Sequence, residues 1–226
     1  ATQLFPDKSP EDAVNSLWSM ILKTCRIDQP DPVAAWELHA EQLRNVAAFM
    51  HDNKVIELHY FDSTPAKDGR PSTDLTIGMP ENSLWLGGSS VTSDGIRFFP
   101  NMPTEEIFSA PHSHKVNGWT RLSKPAMPFE KEVHGGWFRF EDGEVVEFGA
   151  DSGEDVLQQF FDIPGTRRLG EIALVDVRSP INQMGILFHD ILFDENAACH
   201  IAFGGSYAEC VNCLLYTSPS PRDIGE

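Results

Sequence analysis

The stretch GGWFRFEDGEVVEFGA, residues 135–150, gives the clearest structural signal in the sequence. Two runs in which apolar and polar residues alternate flank the tetrapeptide EDGE (141–144). Alternation with a period of two is typical of half-buried strands, and an Asp-Gly pair between two such runs predicts a tight turn. The stretch therefore predicts an antiparallel β-hairpin in a strand-rich part of the chain.

The residues on both sides of this hairpin predict further helices and strands. Upstream, residues 10–24 and 34–52 carry apolar residues at helical spacing, and Ser9 and Pro10 provide a start for the first helix. Downstream, a helix is predicted at 153–162 and a strand at 168–175. Between these parts lie strand-like segments and one Pro- and Gly-containing loop: strands at 55–61, 74–79, 83–88, 95–100 and 116–122, and the loop at 63–72.

This order of elements predicts an α+β (mixed α/β) protein. We expect residues 1–62 to be the C-terminal part of an N-terminal α/β domain and residues 63–212 to be part of a strand-rich domain. The run CLLYTSPSPRD (213–223) follows abruptly, and its codons can be written as a transposase sequencing adapter. We therefore expect residues 213–226 to be adapter read-through rather than native sequence, and we leave them out of the fold prediction.

The composition narrows the class of partner. The chain has 226 residues with 17 basic and 34 acidic side chains, a formal charge of −17. That charge repels phosphate backbones and anionic lipids, so neither nucleic acid nor a membrane surface is an expected partner. No apolar run is long enough to span a bilayer, and the first residues do not resemble a signal peptide. The four cysteines form no convincing zinc pattern, which favours reduced thiols in a cytoplasmic protein: Cys25, Cys199, Cys210 and Cys213.

Two acidic positions stand out as candidate metal ligands. Glu105 and Glu106 are adjacent in PNMPTEEIFSAPH (100–112), where they either lie in a solvated turn or present a carboxylate oxygen to a metal. Glu171 interrupts the apolar strand pattern of RRLGEIALV (167–175). A carboxylate there is costly unless it is paired or bound to a cation, and Arg167 and Arg168 offer the pairing alternative.

A third segment, LFDENAACHIAFGGSY (192–207), holds several further candidates: Asp194, Glu195, His200 and Tyr207. His200 is either a ligand or a hydrogen-bonded core residue. Cys199 is a weak candidate nucleophile, because catalytic Cys–His pairs meet in space rather than by adjacency. His112 and His114 either bind metal or lie in a loop. The sequence has no G-x-S-x-G, P-loop, G-x-G-x-x-G or H-E-x-x-H motif, so nothing in it supports a serine hydrolase, a nucleotide-binding protein or a zincin. The residues alone indicate an acid-rich α+β protein and leave its metal dependence open.

The segments PNMPTEEIFSAPH (100–112), RRLGEIALV (167–175) and LFDENAACHIAFGGSY (192–207), in this order, resemble the thermophilic-type aminopeptidases of peptidase family M29. The resemblance covers roughly residues 35–212. It implies a cytoplasmic metal-dependent aminopeptidase that releases N-terminal amino acids from peptides and forms a homodimer. It also implies two divalent metal ions, zinc or cobalt with magnesium as the alternative. Such a pair of ions lowers the pKa of a bridging water for attack on the peptide carbonyl.

Carried over to this sequence, the resemblance implies that Glu105, Glu171 and His200 bind metal. Glu106 replaces Glu105 if the alignment is shifted by one residue. Tyr207 lies at the metal centre as the catalytic residue. Family members carry a further H-x-D pair, which we expect beyond residue 212, so that this chain is an incomplete metallopeptidase domain with little activity. The alternative is a non-catalytic metal-binding or structural fragment.

Overall fold

The computed structural model describes residues 1–211, and helices lie at both ends of that range. They are α1 (Pro10–Thr24), α2 (Pro32–Asp52), α3 (Glu154–Phe161), α4 (Pro180–Met184) and α5 (Ile191–Glu195). Short 3-10 helices occupy Pro128–Glu130 and Ala208–Cys210. The prediction that residues 213–226 are not native falls on residues outside the described range.

The first two helices begin where the sequence supplies caps. The Ser9 hydroxyl accepts a hydrogen bond from the Asp12 backbone N–H at 3.2 Å, and Pro10 fills the first helical position. The predicted helix 10–24 is confirmed at both ends. The second helix starts two residues before the predicted position 34, because the Asp31 carboxylate accepts from the Ala34 N–H at 3.0 Å and caps the first turn.

Strands make up most of the middle of the chain. They are β1 (Glu57–Pro65), β2 (Pro71–Gly78), β3 (Leu86–Gly87), β4 (Ser90–Val91), β5 (Arg97–Phe98), β6 (Glu106–Ser109), β7 (Val116–Arg121), β8 (Trp137–Glu141), β9 (Glu144–Gly149), β10 (Leu169–Val175) and β11 (His200–Phe203). The mixture of helices and strands confirms the predicted α+β class.

The largest sheet has five strands in the order β1-β2-β7-β8-β9, and its neighbouring strands run antiparallel. The predicted hairpin is confirmed: β8 and β9 pair, and Glu141 lies opposite Glu144. Asp142 and Gly143 form the turn with φ of 48° and 82°, as a two-residue hairpin of type I′ requires. A Cβ on Gly143 would overlap the backbone oxygen of Ser113, so glycine is needed there for space as well as for φ.

An aromatic cluster joins this sheet to later elements. Phe203 on β11 lies 5.0 Å from Phe138 on β8 and 5.2 Å from Phe161 on α3, measured between ring centroids. Both contacts are edge-to-face, a geometry that adds about 0.5–1.5 kcal/mol per pair beyond the area buried. The cluster therefore fixes the C-terminal end of the short strand β11.

A second sheet has four strands in the order β11-β10-β6-β3. Its strand β10 confirms the predicted strand at 168–175, and Leu169, Ile172 and Ala173 are buried as the apolar pattern requires. On the other side of β6, Leu86 lies opposite Phe108 in an antiparallel pair with β3. The two short strands β4 and β5 form a separate ribbon.

The described chain separates into two compact units. The first contains residues 1–49, 85–108 and 173–200, and the second contains residues 50–84, 109–172 and the described residues from 201 onward. The boundary predicted at residue 62 falls inside β1, and the assignment of 1–62 and 63–212 to different domains stays a prediction. No helix among residues 1–211 is long and apolar enough to cross a membrane.

Candidate metal centre

Three neighbouring strands of the four-stranded sheet each contribute one candidate ligand. Glu106 is the first residue of β6, Glu171 is the third residue of β10, and His200 is the first residue of β11. One ligand atom from each residue lies within 4.8 Å of the others. Among residues 1–211 this is the single group of three or more His, Cys, Asp or Glu side chains that could hold a metal ion.

The contact between Glu106 and His200 shows the chemistry of this group. His200 Nε2 lies 3.0 Å from Glu106 Oε2. His200 Nδ1 lies 3.0 Å from the backbone oxygen of Ala198. Because a carbonyl oxygen can only accept, Nδ1 is the donor in that contact, and Nε2 is the ring nitrogen that faces the carboxylate.

Burial makes this arrangement costly without a cation. Glu106 is only 6% exposed, and its Oε2 accepts no hydrogen bond from any residue between 1 and 211. A desolvated carboxylate is costly unless a positive charge offsets it, and a divalent cation held by these three residues would supply that charge. Two carboxylates and an imidazole are also a suitable ligand set for zinc or cobalt, so the donor set fits a divalent metal.

Glycine allows the chain to approach closely beside Glu171. Gly170 lies immediately before it on β10, and a Cβ there would be 2.7 Å from the backbone oxygen of Gly204 and would overlap that of Gly205. These two glycines follow β11, and the Gly204 N–H donates to the backbone oxygen of Arg168 at 2.8 Å. The small residue at 170 therefore lets the turn after β11 pack directly against the strand that carries Glu171.

The two arginines that precede Glu171 contact other acceptors. The Arg167 guanidinium donates to the backbone oxygen of Val145 at 3.1 Å. Arg168 donates to the backbone oxygen of Ser113 at 2.6 Å and to the carboxylate of Glu144 at 3.1 Å. Both side chains are thus used elsewhere, and Glu171 faces the group formed with Glu106 and His200.

Glu105, the residue first expected as a ligand, lies outside this group. Its carboxylate forms a two-pronged ion pair with Arg26, in which the Nη2–Oε2 distance is 2.8 Å. The physical reason is that adjacent residues of an extended segment point to opposite faces of the sheet, so only one of the two glutamates can share a face with Glu171 and His200. The structure gives that place to Glu106, the one-residue shift allowed for in the sequence analysis.

The environment of Glu105 contains polar residues that sequence reasoning missed. His39 Nδ1 lies 3.2 Å from Arg26 Nη2, and His39 Nε2 lies 2.7 Å from the backbone oxygen of Thr104. Burial lowers the pKa of His39, which keeps the ring neutral at physiological pH. Asn196 accepts from the Glu105 backbone N–H at 2.7 Å. No sequence motif links these residues, because they come from α2, the loop after α1 and the segment after α5.

The remaining candidates occupy other places. Tyr207 is 60% exposed and lies in the loop after β11. The Asp194 carboxylate accepts from the Phe188 and Asp190 N–H groups at 2.7 and 3.2 Å, which fixes a loop. Cys199 contacts the backbone of Val175 through its sulfur. Three other residues also lie outside the metal-binding group: Glu195, His112 and His114.

The buried thiol of Cys210 lies near Glu171. Burial raises the pKa of Cys210 to about 12, and the nearby Glu171 carboxylate adds to the rise. Cys210 is not a member of the group formed by Glu106, Glu171 and His200. Cys213, three residues further along the chain, falls outside the described residues.

The sequence of this chain is similar to those of known proteins over most of its length. The sequence pattern of the family described as thermophilic metalloprotease (M29) matches residues 1–215. Aminopeptidase T of Thermus aquaticus is 47% identical over 210 residues, which cover 92% of this chain and 50% of that protein. Aminopeptidase PepS of Streptococcus thermophilus is 42% identical over 213 residues, which cover 93% of this chain and 50% of that protein.

A solved structure gives the same result for the fold. Wild-type AmpT from Thermus thermophilus superposes with a TM-score of 0.85 at 40% identity, and the match covers 96% of this chain and 53% of that one. The chain thus spans about half the length of the curated relatives that it matches. The match over residues 1–215 and the likeness in sequence and fold show that the chain belongs to the M29 family of metalloproteases.

Proposed function

We propose that the protein is a metal-dependent aminopeptidase in which Glu106, Glu171 and His200 bind a divalent metal ion. The observation that carries this proposal is the convergence of one ligand atom from each of these residues within 4.8 Å of the others, with the Glu106 carboxylate buried. The names of the relatives, all aminopeptidases, supply the reaction class. Because the chain spans about half of each relative, the activity belongs to the complete gene product that carries this sequence.

Each of the three residues has a definite task in this proposal. Glu106 and Glu171 supply negative charge that offsets the charge of the ion, while His200 supplies a nitrogen ligand. The Ala198 carbonyl holds the His200 ring in the tautomer that leaves Nε2 as the ligand atom. A bound divalent metal supplies a Lewis acid for the peptide carbonyl and lowers the pKa of water.

The finer features of the centre follow the family resemblance. We propose zinc or cobalt as the metal, with magnesium as the alternative, and a second ion held by ligands beyond these three. Tyr207 is proposed to donate a hydrogen bond to the carbonyl oxygen as negative charge develops on it. Its exposed side chain is accessible to a peptide, which supports this role. Homodimer formation by the complete protein is part of the same proposal.

The test measures metal content and hydrolysis of aminoacyl anilides by the complete gene product. A chelator should abolish hydrolysis, and zinc or cobalt should restore it. The substitutions Glu106→Gln and His200→Ala should each lower metal affinity at least about 100-fold, since each removes a ligand. Glu141→Gln is the matched control, because Glu141 is an exposed glutamate on β8.

Three outcomes separate the alternatives. Hydrolysis that persists in the chelator would contradict a metal-dependent peptidase. Wild-type metal affinity in Glu106→Gln would remove that residue from the centre, and a loss of metal in Glu105→Gln alone would favour the original assignment. Metal binding without any hydrolysis would support a non-catalytic metal-binding module instead.

A further inference from the structure

A polar network fixes β6 from the side opposite the candidate metal centre. Glu105 directly precedes β6, and Glu106 is its first residue, so the two carboxylates are adjacent in the chain and point to opposite sides. Any movement of the Glu105 backbone therefore moves the Glu106 carboxylate with it. What holds Glu105 in place also determines where Glu106 presents its oxygen atoms.

Both oxygen atoms of Glu105 are held by one guanidinium group. Arg26 Nη1 donates to Oε1 and Nη2 donates to Oε2, the two-pronged geometry that fixes a carboxylate in position and in orientation. Glu105 is only 5% exposed, so this pairing is nearly free of competition from water. The Arg26 guanidinium in turn packs over the Trp36 ring, 5.2 Å from its centroid.

The backbone around Glu105 is held as well. Asn196, which is fully buried, accepts from the Glu105 N–H, and its own side-chain amide donates to the Leu192 backbone oxygen at 2.9 Å. The ring of His39 donates from Nε2 to the Thr104 backbone oxygen at 2.7 Å. Side chain and backbone of the residue before Glu106 are thus constrained by three separate elements.

We infer that the Arg26–Glu105 ion pair, with His39 and Asn196, positions Glu106 for metal binding. The inference rests on the proposed metal centre, since it concerns how one of its ligands is held. Arg26 and Glu105 lie outside the group of candidate metal ligands, so they act as positioning residues in this proposal. Groups that orient a metal ligand in this way change metal affinity by about 10- to 100-fold when they are replaced.

The experiment titrates cobalt(II) into the metal-free complete gene product and records the dissociation constant and the visible absorption of the bound ion. Arg26→Lys keeps the charge but cannot hold both carboxylate oxygens at once. It should weaken cobalt binding about tenfold or more and change the absorption spectrum. Arg97→Lys is the matched control, since Arg97 also pairs with a glutamate, Glu37, but at an exposed site.

A loss of stability alone must be distinguished from a loss of positioning. Ile77→Val trims a fully buried side chain on β2 of the five-stranded sheet, so it should lower the urea midpoint of the metal-free protein and leave the cobalt affinity unchanged. The double variant Arg26→Met, Glu105→Gln removes both charges together and leaves neither one buried without a counter-charge. It should bind cobalt more weakly than wild type, and it decides the question if Arg26→Lys does not fold.

The failures of the two proposals look different. If Glu106→Gln abolishes cobalt binding while the Arg26→Lys protein, or the double variant, binds as wild type does, the positioning role is overturned and the metal centre stands. If Glu106→Gln binds cobalt as wild type does, the metal centre itself is overturned. Reduced affinity with an altered spectrum in Arg26→Lys, and neither change in Arg97→Lys, would establish the positioning role.

Discussion

The two main sheets of this protein are assembled from the chain in different ways. In the five-stranded sheet, β1 and β2 are consecutive strands that form a hairpin, and so are β8 and β9. The four-stranded sheet instead brings together β3, β6, β10 and β11, which start at residues 86, 106, 169 and 200. The candidate ligands all lie on the sheet whose strands are far apart in sequence.

This difference separates two kinds of effect. Side chains of the five-stranded sheet are expected to contribute to the stability of the fold through local hairpins and buried apolar residues. Side chains next to the ligands in the four-stranded sheet are expected to affect metal affinity. Substitutions in the two sheets should therefore differ in which measurement they change, as well as in size.

The largest expected effect is on stability, from a core substitution in the five-stranded sheet. Ile77 on β2 is fully buried, and Ile77→Ala should lower the free energy of unfolding by about 2–5 kcal/mol, since it removes packing and leaves a cavity. Urea unfolding checks this, with Ile77→Val as the smaller step in the same direction. The metal affinity of the folded protein should stay at the wild-type value, and a tenfold loss would mean that the two sheets are coupled.

A medium effect is expected from Gly170, beside Glu171 in the four-stranded sheet. The Cβ of Gly170→Ala would collide with the backbone oxygens of Gly204 and Gly205, so β10 and the turn after β11 must separate. We expect cobalt affinity to fall about tenfold, which corresponds to about 1.4 kcal/mol.

The control for that substitution is Gly165→Ala. Gly165 has open space around its Cβ position and a φ of 89°, so alanine there adds backbone strain without a collision. The control should lose some stability and keep its metal affinity. Equal metal affinities in the two variants would show that the close approach at Gly170 does not support the centre.

The smallest effect is expected at an exposed ion pair of the five-stranded sheet. Hydrogen bonds from Arg139 hold the pKa of Glu147 below its usual value. A carboxyl group with a depressed folded-state pKa stabilises the fold above its unfolded pKa of about 4.3, and this contribution is lost as the pH falls through the folded value. Glu147→Gln should therefore differ slightly from wild type in urea unfolding at pH 7 and converge with it in acid. A difference that grows in acid would contradict this assignment.

Local patterns account for the elements that the sequence predicts well. The hairpin at 135–150 depends on its own alternation and on Asp142 and Gly143, and α1 depends on Ser9 and Pro10, all within a few residues of the element they define. The three segments that carry Glu106, Glu171 and His200 could be selected because each combines unusual polar residues with a family resemblance.

The choice between Glu105 and Glu106 could not be made from the sequence. It depends on which of the two residues lies on the same face of the sheet as Glu171 and His200, and strand alternation fixes only that the two lie on opposite faces. Arg26, His39 and Asn196 were not predictable either, because their role arises from contacts between residues up to 91 positions apart. Polar residues of this kind look like ordinary surface positions until the fold brings them together.

The pairing of Arg26 with Glu105 has a consequence for the fidelity of strand alignment during folding. Because two glutamates stand side by side, a shift of β6 by one residue would still offer a carboxylate, that of Glu105, to Glu171 and His200. The same shift would place Thr104 opposite Arg26 and leave a guanidinium group without an acid in a nearly dry environment, at a cost of several kcal/mol. Either glutamate could supply the carboxylate at the metal centre, so the centre alone does not select the alignment of β6. Arg26 selects it, because only one alignment gives the guanidinium group an acid.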